Sequence, residues 1–314
     1  MSSAVAVPST LVRHDWLQAV WRVADPKFTL ASVAALIVGA SVAGRDGAVS
    51  WSWLGVTVLG IFCVEAAKNA SGEIFDWDSG TDPGIRDDER TPFSGGKRVL
   101  VDGLVTRREI ALIAAFFYAL GAAAGLAIVL IREPKVIWVG LAGFALAFFY
   151  HAPPLKLAYR GLGELAIGMA YGPVVACGTY LVQRHAISSA VVLASLPLIL
   201  AQMTCITYCE FPDSRSDAAA GKRTWVVRLG RARAAQIYPW LIVATYLLVA
   251  GLPLAGLPLS IWAGFAGLPF AIVGARRLAK FHDRPQQLTP AFPFVLAQFV
   301  VQAIGIGVGM LIGR

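Results

Sequence analysis

Charge is what this sequence has least of. Only 15% of its 314 residues are Asp, Glu, Lys or Arg, against 57% hydrophobic residues and a mean hydropathy of +0.66. Soluble domains carry about 25% charge, so the composition excludes an ordinary water-soluble fold and specifies an integral membrane protein. Cysteine is scarce too. Cys63, Cys177, Cys205 and Cys209 lie in or at the ends of apolar runs, without loop partners or metal-ligand spacing, which excludes a disulfide framework and reads them as packing residues. His14, His151, His185 and His282 sit in different segments, show no ligand spacing, and receive no catalytic role. No cleavable leader is expected either, because the first 28 residues are mixed and carry Asp15 and Asp25. The first span is therefore expected to be retained.

What the chain has in abundance is long apolar runs. About 20 apolar residues in a helix cross roughly 30 Å of hydrocarbon, and nine runs approach that length, near 29–44, 51–67, 109–131, 136–151, 163–183, 187–209, 235–255, 258–275 and 293–312. The expectation is an all-α bundle of nine transmembrane helices forming a single domain over 1–314. Lys and Arg concentrate on the cytoplasmic side of such proteins. Here the N-terminus and the connections after the even-numbered runs hold 22 of the 27 basic residues, while the opposite side holds Arg45, Arg132, Lys135, Arg184 and Arg314. The expected location is a cell (inner) membrane, multi-pass, with the basic side cytoplasmic. A net charge of +8 suits an anionic lipid leaflet and requires no nucleic acid.

Both long connections, about 68–108 and 210–234, fall on that cytoplasmic side, and each opens with acidic residues. If the second span continues as a helix, Asn69, Glu73 and Asp76 share one face, and Gly80 is a natural terminator that leaves Asp78 and Asp82 at or beyond the end. Glu210, Asp213 and Asp217 repeat the three and four spacing, although Pro212 predicts a kink or a restarted turn. Either cluster alone reads equally well as solvated carboxylates at a membrane interface. Together, on one side and with one spacing, they read as ligands for a hard cation such as Mg2+ that bridges carboxylates to phosphate oxygens. Basic residues stand beside them: Arg86, Arg90, Lys97 and Arg98 in the first connection, Arg215, Lys222, Arg223 and Arg228 in the second. Such groups stabilise the charge that builds on a departing diphosphate.

Other features leave alternatives open. The stretch Tyr150-His151-Ala152-Pro153-Pro154-Leu155-Lys156-Leu157-Ala158-Tyr159 reads as an interfacial turn, or as one that places Tyr150 and Tyr159 against an allylic cation. Glu65 and Glu164 read as helix-terminal carboxylates or as intramembrane functional acids, and with Glu210 they are candidates for the final proton acceptor.

These motifs resemble the UbiA superfamily of intramembrane prenyltransferases, most closely its 1,4-dihydroxy-2-naphthoate polyprenyltransferase branch. The resemblance rests on Asp213 to Asp217, Gly221-Lys222-Arg223-Thr224 and Arg228-Leu229-Gly230, on Gly161-Leu162-Gly163-Glu164-Leu165, and on Asn69 to Asp76 with Gly80-Thr81-Asp82. It runs from about residue 16 to the end. The resemblance implies nine helices around a lipid-facing cavity, with Mg2+ held by Glu73, Asp76, Asp82, Asp213 and Asp217. It implies that Asn69 orients a prenyl diphosphate, that Arg90, Lys97, Arg98, Lys222, Arg223 and Glu210 contribute to substrate binding, and that an aromatic acceptor attacks the allylic carbon. Two departures stand out. Gly72-Glu73 replaces the usual Asn-Asp, and Ala24-Asp25-Pro26-Lys27 replaces Ala-Arg-Pro-Lys. Gly72-Glu73 is also similar to the first motif of UbiA-type terpene cyclases, which ionise the same donors without an acceptor. A membrane transporter is the third reading, disfavoured because transporter sites sit at the bilayer midplane.

Overall fold

The computed structural model describes residues 12–93 and 95–313, with the side chains of 26–28 set aside. Residues 1–11, which the leader reading includes, the Lys27 side chain and Arg314 of the charge count lie outside the described residues. Within them every regular element is helical. In chain order these are α1 (Trp16–Ala24), α2 (Pro26–Asp46), α3 (Trp51–Ser79), α4 (Arg107–Ile131), α5 (Val136–Phe149), α6 (Gly163–Met169), α7 (Val175–Arg184), α8 (Ser189–Ala219), α9 (Trp225–Leu229), α10 (Arg231–Gly251), α11 (Leu268–Phe281), α12 (Pro285–Leu288) and α13 (Phe292–Ile312).

Eight helical segments among the described residues are long and apolar enough to cross a membrane. The fourth predicted span is the exception. It is α5, with only 14 residues, about 21 Å of helix rise against the roughly 30 Å that a membrane requires. Pro134 precedes it and Pro153-Pro154 follows, and a residue before proline is turned away from helical geometry.

Local signals account for the ends that matter. α3 runs 29 residues, carrying the first acidic cluster on its last turns, and stops at Gly80 with φ +81°. Only glycine reaches that left-handed conformation without a steric cost. α4 starts at a capping box in which Thr106 and Glu109 exchange hydrogen bonds with each other's backbone. α8 runs unbroken through Pro197 and Pro212, so the restarted turn expected at Pro212 does not occur. Proline removes one backbone donor, and the buried Tyr208 and Phe211 on the same turns keep the helix seated in the core despite that loss. The two long connections are thus shorter than the sequence suggests, because residues 68–79 and 210–219 are helix.

α8 occupies the middle of the bundle, in contact with α2, α6, α7, α10 and α13. α13 lies so close to the 3-10 segment Leu259–Gly267 that a side chain at Gly305 or Gly309 would collide with the backbone oxygens of Ala263 or Ser260. This is the small-residue packing that membrane helices use where the hydrophobic effect supplies no drive. A π-helical turn, Ala170–Val174, joins α6 to α7 around Pro173 and presents Tyr171 to α3.

Candidate active site

Side chains on the last turns of α3 and α8 approach one another through Lys222 and through the residues 95–100 that lie between them. Lys222, just beyond α8, links the two acidic clusters. Its Nζ lies 3.4 Å from Asp76 Oδ2 and 3.6 Å from Asp217 Oδ1, with a side chain only 13% exposed. Burial alone would pull this ammonium down, but the Asp217 and Asp76 carboxylates outweigh burial and hold it well above the ordinary lysine value. Asp76 also receives the Tyr159 hydroxyl at 3.0 Å and lies 3.4 Å from His151 Nε2. Burial first, then Asp76, pushes the Tyr159 phenol up to about 12.

Glu73 has a different set of partners. Its Oε1 accepts from the backbone N–H of Lys97 at 2.5 Å and Arg98 at 3.0 Å, and its Oε2 from Val99 at 2.7 Å and Leu100 at 3.4 Å. A carboxylate offers about four lone-pair sites, so all are taken by one turn of the chain. Asp213 holds the same segment, with both oxygens 3.2 Å from Gly95 N. Gly95 and Gly96 have φ of +72° and +63°, and a methyl group on Gly96 would lie 2.5 Å from Asp82 Oδ2 and 2.7 Å from Glu73 Oε1. The Gly95–Leu100 turn is therefore clamped by carboxylates of both clusters.

Above this turn opens a polar cavity of about 960 Å³, walled by Asn69, Arg90, Lys97, Arg98, Asp213 and Asp217 along with Glu210, Lys222 and Tyr150. Glu73, Asp76, Asp82 and Tyr159 lie behind its wall. Asn69 lines the cavity while donating 2.8 Å to Val23 O, which ties α3 to α1. The Arg223 side chain is exposed and off the cavity wall, and its backbone N–H instead donates to Tyr159 O at 3.3 Å. Lys97 is paired with Asp25, so the reversed charge at position 25 meets a cation of the first connection. Arg22 and Arg98 share Asp102 at 2.6 and 2.5 Å.

Sequence reasoning assigned nothing to His151, yet its ring fills the space beside Gly72. A Cβ at position 72 would stand 2.9 Å from His151 Cε1. The amide usual at this position has no room here, and burial pulls the imidazole below its ordinary value despite Asp76 nearby. The glycine itself was the available signal.

Among the described residues no three His, Cys, Asp or Glu side chains hold a metal by themselves. Asp82 Oδ2, Glu210 Oε2 and Asp217 Oδ1 are nevertheless buried without a hydrogen-bond donor. Burial, followed by the Asp76 and Glu73 charges, pushes the Asp82 carboxyl well above its ordinary value. Such hard, unsatisfied oxygens fit a magnesium ion that shares its shell with phosphate oxygens and water.

A second cavity, of about 530 Å³ and nearly all apolar, lies beside the first between α3, α4, α5 and the α6–α7 segment. Glu65, Lys68, Tyr150, Ile167 and Tyr171 border both cavities and form the neck between them.

The sequence is 28% identical over 293 residues to the 2-carboxy-1,4-naphthoquinone phytyltransferase of Synechocystis sp., covering 91% of this chain and 90% of that protein. It is also 28% identical over 235 residues to the 1,4-dihydroxy-2-naphthoate octaprenyltransferase of Mycobacterium tuberculosis, covering 73% of this chain and 77% of that protein. The fold is similar to that of a UbiA homolog from Archaeoglobus fulgidus bound to GPP and Mg2+, with a TM-score of 0.65, 18% identity, and coverage of 93% of this chain and 99% of the other. The model of the UbiA prenyltransferase family matches residues 32–300. With that match spanning most of the bundle and both acidic clusters, the chain belongs to the UbiA prenyltransferase family.

Proposed function

We propose that this transferase moves a prenyl group from an isoprenyl diphosphate to an aromatic quinone precursor, at the cytoplasmic side of a cell (inner) membrane. The observation that carries the reading is the Lys222 ammonium held between Asp76 and Asp217 at the edge of a polar cavity that adjoins an apolar one. A diphosphate belongs in the first cavity and an isoprenoid tail in the second. The names of the relatives favour a naphthoate-type acceptor.

Asp76, Asp82, Asp213 and Asp217 would hold magnesium, with Glu210 beside them. When bound, the metal neutralises diphosphate oxygens and makes the diphosphate a better leaving group. Lys97, Arg98, Arg90 and Lys222 face the same oxygens, and Asn69 orients them. Glu73 serves by anchoring the turn that presents Lys97 and Arg98, since its lone pairs are committed to that turn. Arg223 serves through its backbone, donating to Tyr159 O and accepting from Arg228 Nε. The allylic carbon–oxygen bond breaks with its electron pair leaving on the diphosphate. An electron pair of the acceptor ring forms the new carbon–carbon bond, and the ring carbon gives up its proton to a carboxylate of the cavity wall, for which Glu65 and Glu210 are the candidates. The face of Tyr150, which borders both cavities, stabilises the allylic cation in between, whereas Tyr159, off both cavity walls, serves through its hydroxyl contact with Asp76.

The test is incubation of detergent-purified protein with Mg2+, a prenyl diphosphate and 1,4-dihydroxy-2-naphthoate. A prenylated naphthalene is expected by mass spectrometry, and its formation should be lost in Asp76→Asn and Asp213→Asn. A cyclic hydrocarbon or alcohol formed without acceptor would instead establish the cyclase reading, which Gly72-Glu73 favours.

A further inference from the structure

Six Lys and Arg side chains border the polar cavity: Arg22, Lys68, Arg90, Lys97, Arg98 and Lys222. Five of them have a carboxylate within 4 Å, in the pairs Arg22–Asp102, Arg90–Asp87, Lys97–Asp25, Arg98–Asp102 and Lys222–Asp76. Lys68 has none among the described residues. Its Nζ stands 5.8 Å from the centroid of the Tyr150 ring, and it belongs to the neck shared by the two cavities. A cation in a largely apolar surrounding is costly unless an anion or an aromatic face meets it, and the Tyr150 face meets only one side of this one.

Asp76 lies two turns further along α3, about 12 Å of helix rise from Lys68, which leaves Lys68 at the neck between the two cavities and the Asp76–Lys222 contact beyond it. One turn before Lys68, Glu65 faces the same neck, held by the hydroxyls of Ser32 at 2.7 Å and Tyr171 at 2.9 Å. Cation, aromatic ring and carboxylate together bound a slot at the junction where the isoprenoid and the diphosphate compartments meet. The allylic carbon must lie at that junction, so the slot is where an acceptor ring would sit.

We infer that Lys68 is the specificity-determining residue for an acceptor that carries a carboxylate on its aromatic ring, pairing with that carboxylate while Tyr150 packs on the ring and Glu65 receives a ring hydroxyl. The inference rests on the transferase reading above and adds to it how the acceptor is chosen. A carboxylate pairs with an ammonium by charge-assisted hydrogen bonds, whereas an acceptor without the carboxylate leaves the ammonium unmet.

The experiment compares 1,4-dihydroxy-2-naphthoate with 1,4-naphthalenediol as acceptors for wild type, Lys68→Met and Lys68→Arg, with the full chain in detergent and one prenyl diphosphate. The readout is the ratio of kcat/KM for the two acceptors, which does not depend on the fraction of correctly folded enzyme. Wild type is expected to prefer the carboxylated acceptor by roughly 10- to 100-fold. Lys68→Met should bring the ratio close to one, and Lys68→Arg should keep most of the preference. A ratio unchanged in Lys68→Met, or a Lys68→Met defect confined to the KM for the prenyl diphosphate, would overturn the assignment while leaving the transferase intact. Transfer to neither acceptor by wild type would instead overturn the transferase reading, and this inference with it.

Discussion

Lys222 Nζ is 3.4 Å from Asp76 Oδ2, and through that contact a residue beyond α8 neutralises a residue at the end of α3. Removing the ammonium leaves Asp76 and Asp217 as buried carboxylates with no cation between them. Lys222→Met should lower kcat by about 100- to 1,000-fold, the scale for losing one preorganised charge partner. It should also destabilise the protein by about 3–5 kcal/mol, as breaking one side of a buried pair does. Stopped-time product assays and thermal melts in detergent check the two effects separately.

Glu73 accepts four backbone N–H groups of the Lys97–Leu100 turn. In Glu73→Gln the amide nitrogen cannot accept, so the turn should come loose. Trypsin should then cut after Lys97 or Arg98 in the variant well before it cuts the wild type. Equal cleavage rates would show that the turn is held by something else.

Gly96 is required twice, once for its φ of +63° and once for its contact with Asp82 and Glu73. Gly96→Ala should cost about 1 kcal/mol or more from the backbone alone. Because the methyl group would wedge the turn away from both carboxylates, prenyl transfer should fall at least about tenfold in steady-state assays.

The Gly72–His151 contact predicts a compensating pair. Gly72→Asn, which restores the residue usual for the family, should lower activity because its side chain meets the imidazole. Combining it with His151→Gly should recover part of the loss. A double-mutant cycle measures that coupling, and strict additivity would mean that the two positions do not share space.

Asp102 provides the pH prediction. Burial pushes its carboxyl up, but the hydrogen bonds from Arg22 and Arg98 outweigh burial and hold it below its ordinary value of 3.8. The folded-state value is the lower one, so the stabilisation is complete above the unfolded value and is lost as pH falls through the folded one. The difference in melting temperature between wild type and Asp102→Asn should be steady above about pH 5 and shrink as the pH drops below about 4.

Sequence periodicity made the helices legible, including the continuation of α3 to Gly80, because hydropathy and the three and four spacing of Asn69, Glu73 and Asp76 are local properties. The meeting of the two acidic clusters was legible through their shared side and spacing. The partners of Glu73 were not, because backbone N–H groups carry no residue identity for a motif to display. The Lys97–Asp25 pair and the Gly72–His151 contact join distant parts of the chain and depend on how α1, α3 and the residues after α5 come together. Of the two outcomes expected at Pro212, a kink or a restarted turn, the restarted turn does not occur, because the propensity of one residue gave way to the burial of its neighbours.

The shortness of α5 has a consequence for the size of the donor. This helix contributes no buried residue and walls one side of the apolar cavity with Leu141 and Phe144, while Trp138 is turned outward. A closed protein pocket acts as a ruler, since its floor sets the longest chain that fits. A compartment fenced by a helix too short for the bilayer is expected to have lipid for part of its boundary, and under the proposed transfer an isoprenoid would extend there without meeting a floor. Donor length would then be governed by which diphosphates are supplied, and the prenylated product would form already partly dissolved in the membrane.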